Sequence, residues 1–282
     1  MRLAALLVAA VSAAILAAGC AKFKNPTKDW TPERFYNEAQ VAMEKEDYER
    51  AIKLFETMEA RYPYGRYSQQ AQLEIAYVYF KADQPELAKE AAERFIRLHP
   101  THPHVAYAYY LKGLINIGKG ATGIARWLNL RGAEAKRDPS VTQQAYDAFE
   151  EVVERFPDST YAQDSARRMA YLRNTLAKHE VRVAQFYLNQ DAYVAAVNRT
   201  KYVLENYGRT PAVEDALAIQ AKAYKLMGLT DLMDDTVRVL KMNFPNSDHL
   251  KDINAPESKK KKGKKRKKKK KKQKTEGPIV SY

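Results

Sequence analysis

The chain has 282 residues, of which 48 are Lys or Arg and 34 are Asp or Glu, giving a formal net charge of +14. Fourteen basic residues lie between Lys259 and Lys274, and subtracting them from 48 leaves 34 basic residues against 34 acidic ones elsewhere. This distribution excludes a basic face on the folded part, and the single cysteine excludes an intramolecular disulfide framework and a Cys-clustered zinc site.

The first predicted element is an uncharged, apolar run from Leu3 to Ala21. A basic start, an apolar run and small residues before a cleavage point are typical of a secretory signal peptide. Small residues directly before Cys20 resemble the bacterial lipobox. The resemblance implies a lipoprotein signal peptide at 1–19, lipid attachment at Cys20 and a lipidated linker at 20–30.

Two alternatives remain for this run. It is also compatible with an ordinary signal peptide that contains a cysteine, or with one membrane-spanning helix.

If Cys20 is acylated, the acyl chains make the attachment to the membrane effectively permanent. In lipoproteins of this kind, Asp after the cysteine favours retention in the inner membrane. Ala21 therefore indicates the outer membrane, with the chain on its periplasmic face.

From residue 31 to residue 250 helix formers dominate, and apolar residues recur every three or four positions. Five predicted helix ends carry an aromatic residue or His followed by Pro or Gly: Tyr62-Pro63, His99-Pro100, Phe156-Pro157, Tyr207-Gly208 and Phe244-Pro245. These stops are separated by 37, 57, 51 and 37 residues. The spacing fits a repeated unit of 37 residues with insertions of about 20 and about 14 residues.

Each stop is preceded at fixed distances by characteristic residues. Twelve positions before the Pro or Gly of each stop lie Ala51, Ala88, Ala145, Ala196 and Met233. Eight positions before it lie Phe55, Ala92, Phe149, Thr200 and Val237. A small residue lets two antiparallel helices approach, the next position fills the groove, and Pro ends the second helix. A coiled coil does not explain the prolines, and a four-helix bundle does not explain five stops.

The pattern resembles the tetratricopeptide repeat. It predicts an all-α, tetratricopeptide-like helical solenoid of about five helix-turn-helix units over residues 31–250. The first helix of each unit is predicted near Pro32–Lys45, Ser68–Ala82, His104–Ile117, Thr160–Leu188 and Pro211–Met227. The fourth of these is long enough to absorb the insertion of about 14 residues.

No sequence motif indicates catalysis. The Gly-x-Ser-x-Gly, Walker, His-Glu-x-x-His and Gly-x-Gly-x-x-Gly patterns do not occur. Three of the five histidines lie in the segment 99–104, where two prolines favour an inter-repeat turn over a metal site. We therefore expect no enzymatic activity, no metal site and no cofactor.

Aromatic residues on the first helices are the candidate binding residues. These helices line the concave surface of a tetratricopeptide solenoid, which places Tyr36, Tyr77, Phe80, Tyr107 and Tyr110 there. Tyrosine binds an extended peptide through both ring and hydroxyl. The alternative is that these rings only pack neighbouring repeats together.

Asn198 and Arg199 form a second candidate site, for a partner protein. Arg199 lies nine residues before Gly208, where the other units place smaller or apolar residues. The cation therefore either pairs inside the repeat array or faces a partner.

Four sequence strings go beyond the general repeat pattern: Tyr62–Lys81, Arg94–Gly113, Phe156–Tyr161 and Val197–Arg199. They are similar to the ComL/YfiO family of lipoproteins in the outer-membrane β-barrel assembly machinery, and the resemblance covers Pro32 to Asn246. It implies a non-enzymatic periplasmic scaffold that binds BamA, other assembly-complex lipoproteins and unfolded outer-membrane proteins. In the family the N-terminal repeats would supply the substrate groove and the C-terminal repeats the BamA contact.

Two other functions remain open at this point. One is a different periplasmic tetratricopeptide lipoprotein that scaffolds cell-wall or division proteins. The other is a DNA-uptake lipoprotein that acts through the basic segment near the end of the sequence.

Residues 251–282 are predicted to be a disordered Lys-rich tail, because fourteen like charges in 16 positions repel one another. Anionic lipid, lipopolysaccharide or cell-wall polymer is the expected partner, and nucleic acid is not, because a secreted protein seldom meets it. The alternative is a solvated tail without a partner.

Overall fold

The computed structural model describes residues 27–118 and 138–254, and every regular element within these ranges is an α-helix. In chain order the helices are α1 (Pro32–Glu44), α2 (Tyr48–Arg61), α3 (Arg66–Lys81), α4 (Pro85–Leu98), α5 (Val105–Gly118), α6 (Pro139–Arg155), α7 (Ala162–Asn189), α8 (Tyr193–Asn206), α9 (Ala212–Met227), α10 (Thr230–Asn243) and α11 (His249–Asn254). The predicted first helices correspond to α1, α3, α5, α7 and α9. The 28-residue α7 absorbs the predicted insertion.

The helices form two compact units, one ending at Pro100 and the other beginning at Thr101. In the first unit α1 pairs with α2 and α3 with α4, and in the second α5 pairs with α6, α7 with α8 and α9 with α10. The predicted all-α, tetratricopeptide-like class with five helix-turn-helix pairs is therefore confirmed for the described ranges. The assignment of residues 31–250 to a single domain stays a prediction. The last four residues of α11, 251–254, fall within the predicted tail.

The predicted helix stops are confirmed. The residues that end the second helix of each pair are Tyr62, His99, Phe156, Tyr207 and Phe244, and each donates its backbone N–H to the carbonyl four residues earlier.

Side chains cap the N-termini of several helices. At the start of α1 the Thr31 hydroxyl accepts from the N–H of Arg34 at 3.3 Å. Asp47 accepts from the N–H of Arg50 at 3.2 Å. Such caps satisfy N–H groups that have no partner within the helix.

The positions twelve and eight residues before the Pro or Gly of each stop are part of the core in the first four pairs. The residues twelve before the stops, Ala51, Ala88, Ala145 and Ala196, are buried, as are those eight before them, Phe55, Ala92, Phe149 and Thr200. In the fifth pair the corresponding Met233 and Val237 are only partly buried. In the described part of the chain the short α11 is the element that follows α10, so it covers less of α10 than a full helix pair would.

The turns inside four of the pairs share one backbone conformation. Glu46, Asp83, Asp191 and Gly228 have φ angles of 58°, 61°, 62° and 77°. Each lies 17 residues before the Pro or Gly of a stop. The residue that follows each of them donates its N–H to the carbonyl five positions earlier, as in a Schellman motif. A left-handed residue at a fixed position therefore closes these turns.

None of the helices within residues 27–118 and 138–254 is both long and apolar enough to cross a membrane.

Candidate protein-binding surfaces

Tyr36 lies where α1 and α3, the first helices of the two pairs in the first unit, contact each other. Its ring packs 6.0 Å from the ring of Phe55 and 5.8 Å from that of Tyr67 on α3. The side-chain amide of Gln40 donates to its hydroxyl at 3.0 Å. Burial raises the pKa of Tyr36, and the nearby carboxylate of Glu74 raises it further. The ring therefore joins three helices while remaining half exposed.

Tyr77 continues this surface along α3. Glu74 lies seven residues after Tyr67, and Tyr77 lies three residues after Glu74, which places the three on one side of the helix. The other side of α3 holds Tyr79, whose hydroxyl donates to Oε1 of Glu56 on α2 at 2.6 Å. Burial and this hydrogen bond raise the pKa of Tyr79. Phe80 is half-buried one turn beyond Tyr77. We call the surface formed by Tyr36, Tyr67, Glu74 and Tyr77 the α1–α3 face.

In the second unit the predicted residues Tyr107 and Tyr110 meet at Tyr161. The ring of Tyr161 stacks on Tyr110 at 5.1 Å and lies 5.4 Å from Tyr107. The hydroxyl of Tyr110 donates to Oδ2 of Asp164 on α7 at 2.7 Å. Arg168 also bonds this carboxylate, and its guanidinium lies over the Tyr110 ring at 5.8 Å. We call these five residues the α5–α7 cluster.

Asp164 is the carboxylic acid of this cluster, and its pKa differs clearly from the ordinary value. Burial alone would raise the pKa of Asp164, but hydrogen bonds from Tyr110, Arg168 and Arg167 outweigh it and lower the pKa to about 2. The carboxylate is therefore ionised at any pH at which the folded chain is expected to function. Its role is to orient Tyr110 and Arg168.

Replacing Tyr110 with phenylalanine should raise the pKa of Asp164 toward its ordinary value. Because the pKa is depressed in the folded state, the stability contributed by Asp164 is present above about pH 4 and is lost as the pH falls to about 2. Y110F should be less stable than the parent at pH 7 and should lose less stability over that interval. Urea unfolding at several pH values measures both effects.

Y224F is the matched control for this experiment. It also removes a tyrosine hydroxyl from the second unit, but that hydroxyl bonds Gln220 on its own helix at 3.4 Å. Its pH dependence should follow that of the parent. If Y110F also keeps the parent's pH dependence, Tyr110 does not set the pKa of Asp164.

Arg199 lies on α8 and is paired inside the second unit. Its Nη1 is 3.1 Å from Oε2 of Glu180 on α7, and the side chains of Arg199 and Glu180 are 45% and 16% exposed. The internal pair is therefore present, and nearly half of the arginine side chain remains in solvent. Asn198 next to it is exposed.

A group of exposed apolar side chains on the last helix pair was not predicted. Leu229, Leu232, Val239 and Met242 lie at or along α10, and Met242 is 76% exposed. We call them the α10 stripe. In the sequence, Leu, Val and Met at helical spacing resemble core positions, so periodicity alone does not distinguish this stripe from buried residues.

The histidine segment forms a turn between helices. Nε2 of His99 lies 2.7 Å from Oε1 of Gln72, and the rings of His102 and His104 lie 5.5 Å apart. Among the described residues, no group of three or more His, Cys, Asp or Glu side chains is placed to hold a metal ion.

Several predictions concern residues outside the described ranges. They are the signal peptide 1–19, the lipid attachment at Cys20, the first part of the linker 20–30, and the tail beyond residue 254.

A family model described as "YfiO: Outer membrane lipoprotein" matches residues 28–240. Several curated relatives of this chain carry the name outer membrane protein assembly factor BamD. The protein from Neisseria gonorrhoeae is 43% identical over 226 residues, which cover 79% of this chain and 83% of that protein. The one from Vibrio cholerae is 36% identical over 225 residues, covering 80% and 92%. The one from Xylella fastidiosa strain Temecula1 is 36% identical over 248 residues, covering 87% and 84%.

Proposed function

The chain belongs to the YfiO family of outer membrane lipoproteins, and we propose that it acts as a lipid-anchored periplasmic scaffold of β-barrel assembly. Its role as an outer-membrane protein assembly factor follows from relatives that are 43% and 36% identical to it over 79% and 80% of this chain. The finer proposal is that it binds BamA, other lipoproteins of the complex and unfolded outer-membrane proteins. The observation that carries the proposal is the family match, which spans most of both compact units.

The surface proposed for unfolded substrates is made of the aromatic residues on the first helices. On the α1–α3 face the rings of Tyr36 and Tyr77 are half exposed, as is Phe80 further along α3. A rigid ring gives an extended segment a large contact at low entropic cost. In the α5–α7 cluster the hydroxyl of Tyr110 is already bonded to Asp164, so this residue would offer its ring rather than its hydroxyl. Tyr107 would extend that second surface.

The surface proposed for BamA lies in the later repeats. Asn198 and the half-exposed Arg199 offer polar groups on α8, and the α10 stripe offers apolar side chains on the last helix pair. Arginine is among the residues that contribute most of the binding energy in many interfaces, and the burial of apolar side chains adds to it. The stripe adds to the predicted pair of residues.

We propose no catalytic role. The Gly-x-Ser-x-Gly, Walker, His-Glu-x-x-His and Gly-x-Gly-x-x-Gly patterns do not occur in the sequence. The perturbed groups of the α5–α7 cluster bond one another, as in a structural network rather than a site that is aimed at a substrate. Cys20 is proposed as the lipid attachment point, which would keep the chain at the periplasmic face of the outer membrane.

A pull-down from native envelopes in mild detergent tests this function. The full chain with a C-terminal tag should recover a large β-barrel protein that carries soluble periplasmic repeats, which is the expected BamA. A Cys20→Ala form should lose its association with the envelope, because the acyl chains that hold it would be absent. The distribution of both forms between soluble and membrane fractions measures this loss.

Two outcomes would contradict parts of the proposal. Recovery of cell-wall or division proteins without any barrel protein would favour a different periplasmic scaffold. If the Cys20→Ala form associates with the membrane as well as the parent does, the proposal of a lipid anchor at Cys20 is wrong. The proposed assembly role would be unaffected.

A further inference from the structure

The α10 stripe lies on a face that is turned to solvent in every helix pair. The residue three positions before the Pro or Gly of a stop is exposed in all five pairs. It is Ala60, Arg97, Glu154 and Glu205 in the first four pairs and Met242 in the fifth. The position is therefore an outer one throughout the repeats, and among the five pairs only α10 places a large apolar side chain there.

Three apolar residues of the stripe share one side of α10 with an aspartate. Leu232, Asp235, Val239 and Met242 follow one another at intervals of three, four and three residues, which is the spacing of the a and d positions in a coiled coil. All four residues are exposed, and Met242 is 76% exposed. This side of α10 therefore has the pattern that packs against another helix.

The charges of α10 indicate which helix would fit. Asp231, Asp234 and Asp235 lie in its first half, Arg238 and Lys241 lie in its second half, and all five are exposed. Two helices of this kind attract each other when they run in opposite directions, because the acidic half of each then faces the basic half of the other. A second copy of this chain carries such a helix, so α10 is complementary to itself.

Antiparallel pairing about the middle of the stripe also matches the apolar residues. It places Leu232 of each copy opposite Met242 of the other, and Val239 opposite Asp235. The carboxylate of Asp235 keeps a cationic partner in this arrangement, because its Oδ1 lies 2.8 Å from Nη2 of Arg238 in the same helix. The aspartate therefore does not enter the contact as an uncompensated charge.

The edge of the stripe sets the direction of pairing. Asp231 and Arg238 lie seven residues apart along this edge. In an antiparallel pair, Asp231 of each copy meets Arg238 of the other in two equivalent ion pairs, as a two-fold axis requires. In a parallel pair, Asp231 and Asp235 would each face their own copies, and like charges at such positions are destabilising. The guanidinium of Arg238 has enough donors to bond both aspartates.

We propose that the chain pairs with a second copy of itself through an antiparallel contact between the two α10 stripes. A contact between two helices of 14 residues is small beside the about 1,200–2,000 Å² buried in stable complexes, so the pairing is weak and reversible. It goes beyond the proposed scaffold function and does not depend on it. A BamA molecule that bound the same side chains would displace the second copy.

Analytical ultracentrifugation of the full chain in a density-matched neutral detergent tests this proposal. The parent, D231R, R238D, M242Q and an equimolar mixture of D231R with R238D are each measured over a wide range of concentration. K201D is the matched control for R238D. Lys201 is exposed on α8 and lies seven residues before Gly208, just as Arg238 lies seven residues before Pro245.

The parent should dimerise as its concentration rises. D231R brings two cations together at each end of the contact, and R238D brings two carboxylates together, so each should weaken dimerisation by about tenfold or more. M242Q leaves every charge in place and should also weaken dimerisation, because it removes apolar contact. K201D should dimerise as the parent does.

The mixture of D231R with R238D should recover dimerisation, because every cation at the edge of the contact then faces a carboxylate. This recovery also shows that both variants are folded. A parent that stays monomeric overturns the proposal. A mixture that associates no more strongly than its components overturns it as well, and so does a loss in K201D as large as that in R238D.

Discussion

Replacing Gly113 with valine should lower the free energy of unfolding of the second unit by about 3 kcal/mol. Gly113 lies on α5, where α6 approaches closely, and a Cβ at this position would lie 2.6 Å from both Cε1 and Cζ of Phe149. Phe149 is fully buried, so its ring has no solvent-filled space into which it can move. Two further methyl groups would increase the overlap.

The intrinsic preference of the helix opposes this loss only in part. Removing glycine from a helix interior gains about 0.5–1 kcal/mol relative to alanine, and the β-branch of valine returns some of that gain. Steric overlap therefore decides the sign. Thermal and urea unfolding measure the loss, which for a unit of this size corresponds to a fall in Tm of roughly 6–12 °C.

Two further variants show whether the contact with Phe149 is the cause. Ala170→Val places the same β-branched side chain at an exposed position of α7 and should cost less than about 1 kcal/mol. In the double variant G113V/F149L, the smaller side chain should relieve the overlap. The double variant should therefore lose less stability than the sum of the losses in G113V and F149L. Strict additivity, or a G113V protein as stable as the parent, would contradict this account of the helix contact.

The same contact illustrates how far the fold is predictable from sequence. Phe149 is identifiable because it lies eight residues before Phe156-Pro157, a relationship within one helix. Its closest partner, Gly113, is 36 residues away and belongs to a different helix. The register of α5 against α6 depends on packing in three dimensions, so the repeat pattern predicts the buried ring but not the residue that has to be small beside it.

The turns show a different limit. Gly228 is the residue type expected at a left-handed position, but Glu46, Asp83 and Asp191 occupy the equivalent place in three other turns. A non-glycine residue is uncommon there, and the hydrogen bonds of the closed turn compensate for it. The repeat spacing locates these turns, but composition does not reveal their conformation.

For the candidate site, the sequence indicates single residues but not their partners. Tyr110 is predicted from its helix, whereas Asp164 is 54 positions away and the two meet only because α5 and α7 both contact α6. The exposed α10 stripe shows the same limit. Its residues follow the periodicity of a core, so the sequence pattern alone does not show that their side chains are exposed.

Replacing Arg199 with glutamate should weaken capture of the large β-barrel partner by about tenfold or more. This prediction rests on the proposed BamA contact. The half-exposed guanidinium would lose its own contact with the partner, and a carboxylate would face Glu180, which is only 16% exposed. The yield of barrel protein per tagged chain in the envelope pull-down measures the loss.

The charge-swapped form R199E/E180R separates the two readings of this residue. It restores an internal ion pair between α7 and α8 while leaving the charge that position 199 presents to a partner reversed. Because a partly exposed ion pair contributes at most about 1 kcal/mol, the swapped form should fold like the parent, and thermal unfolding checks this. If capture stays low in the swapped form, Arg199 contacts the partner directly. If capture returns to the parental level, the arginine acts only by holding α8 against α7, and the proposed interface at Asn198 and Arg199 is wrong.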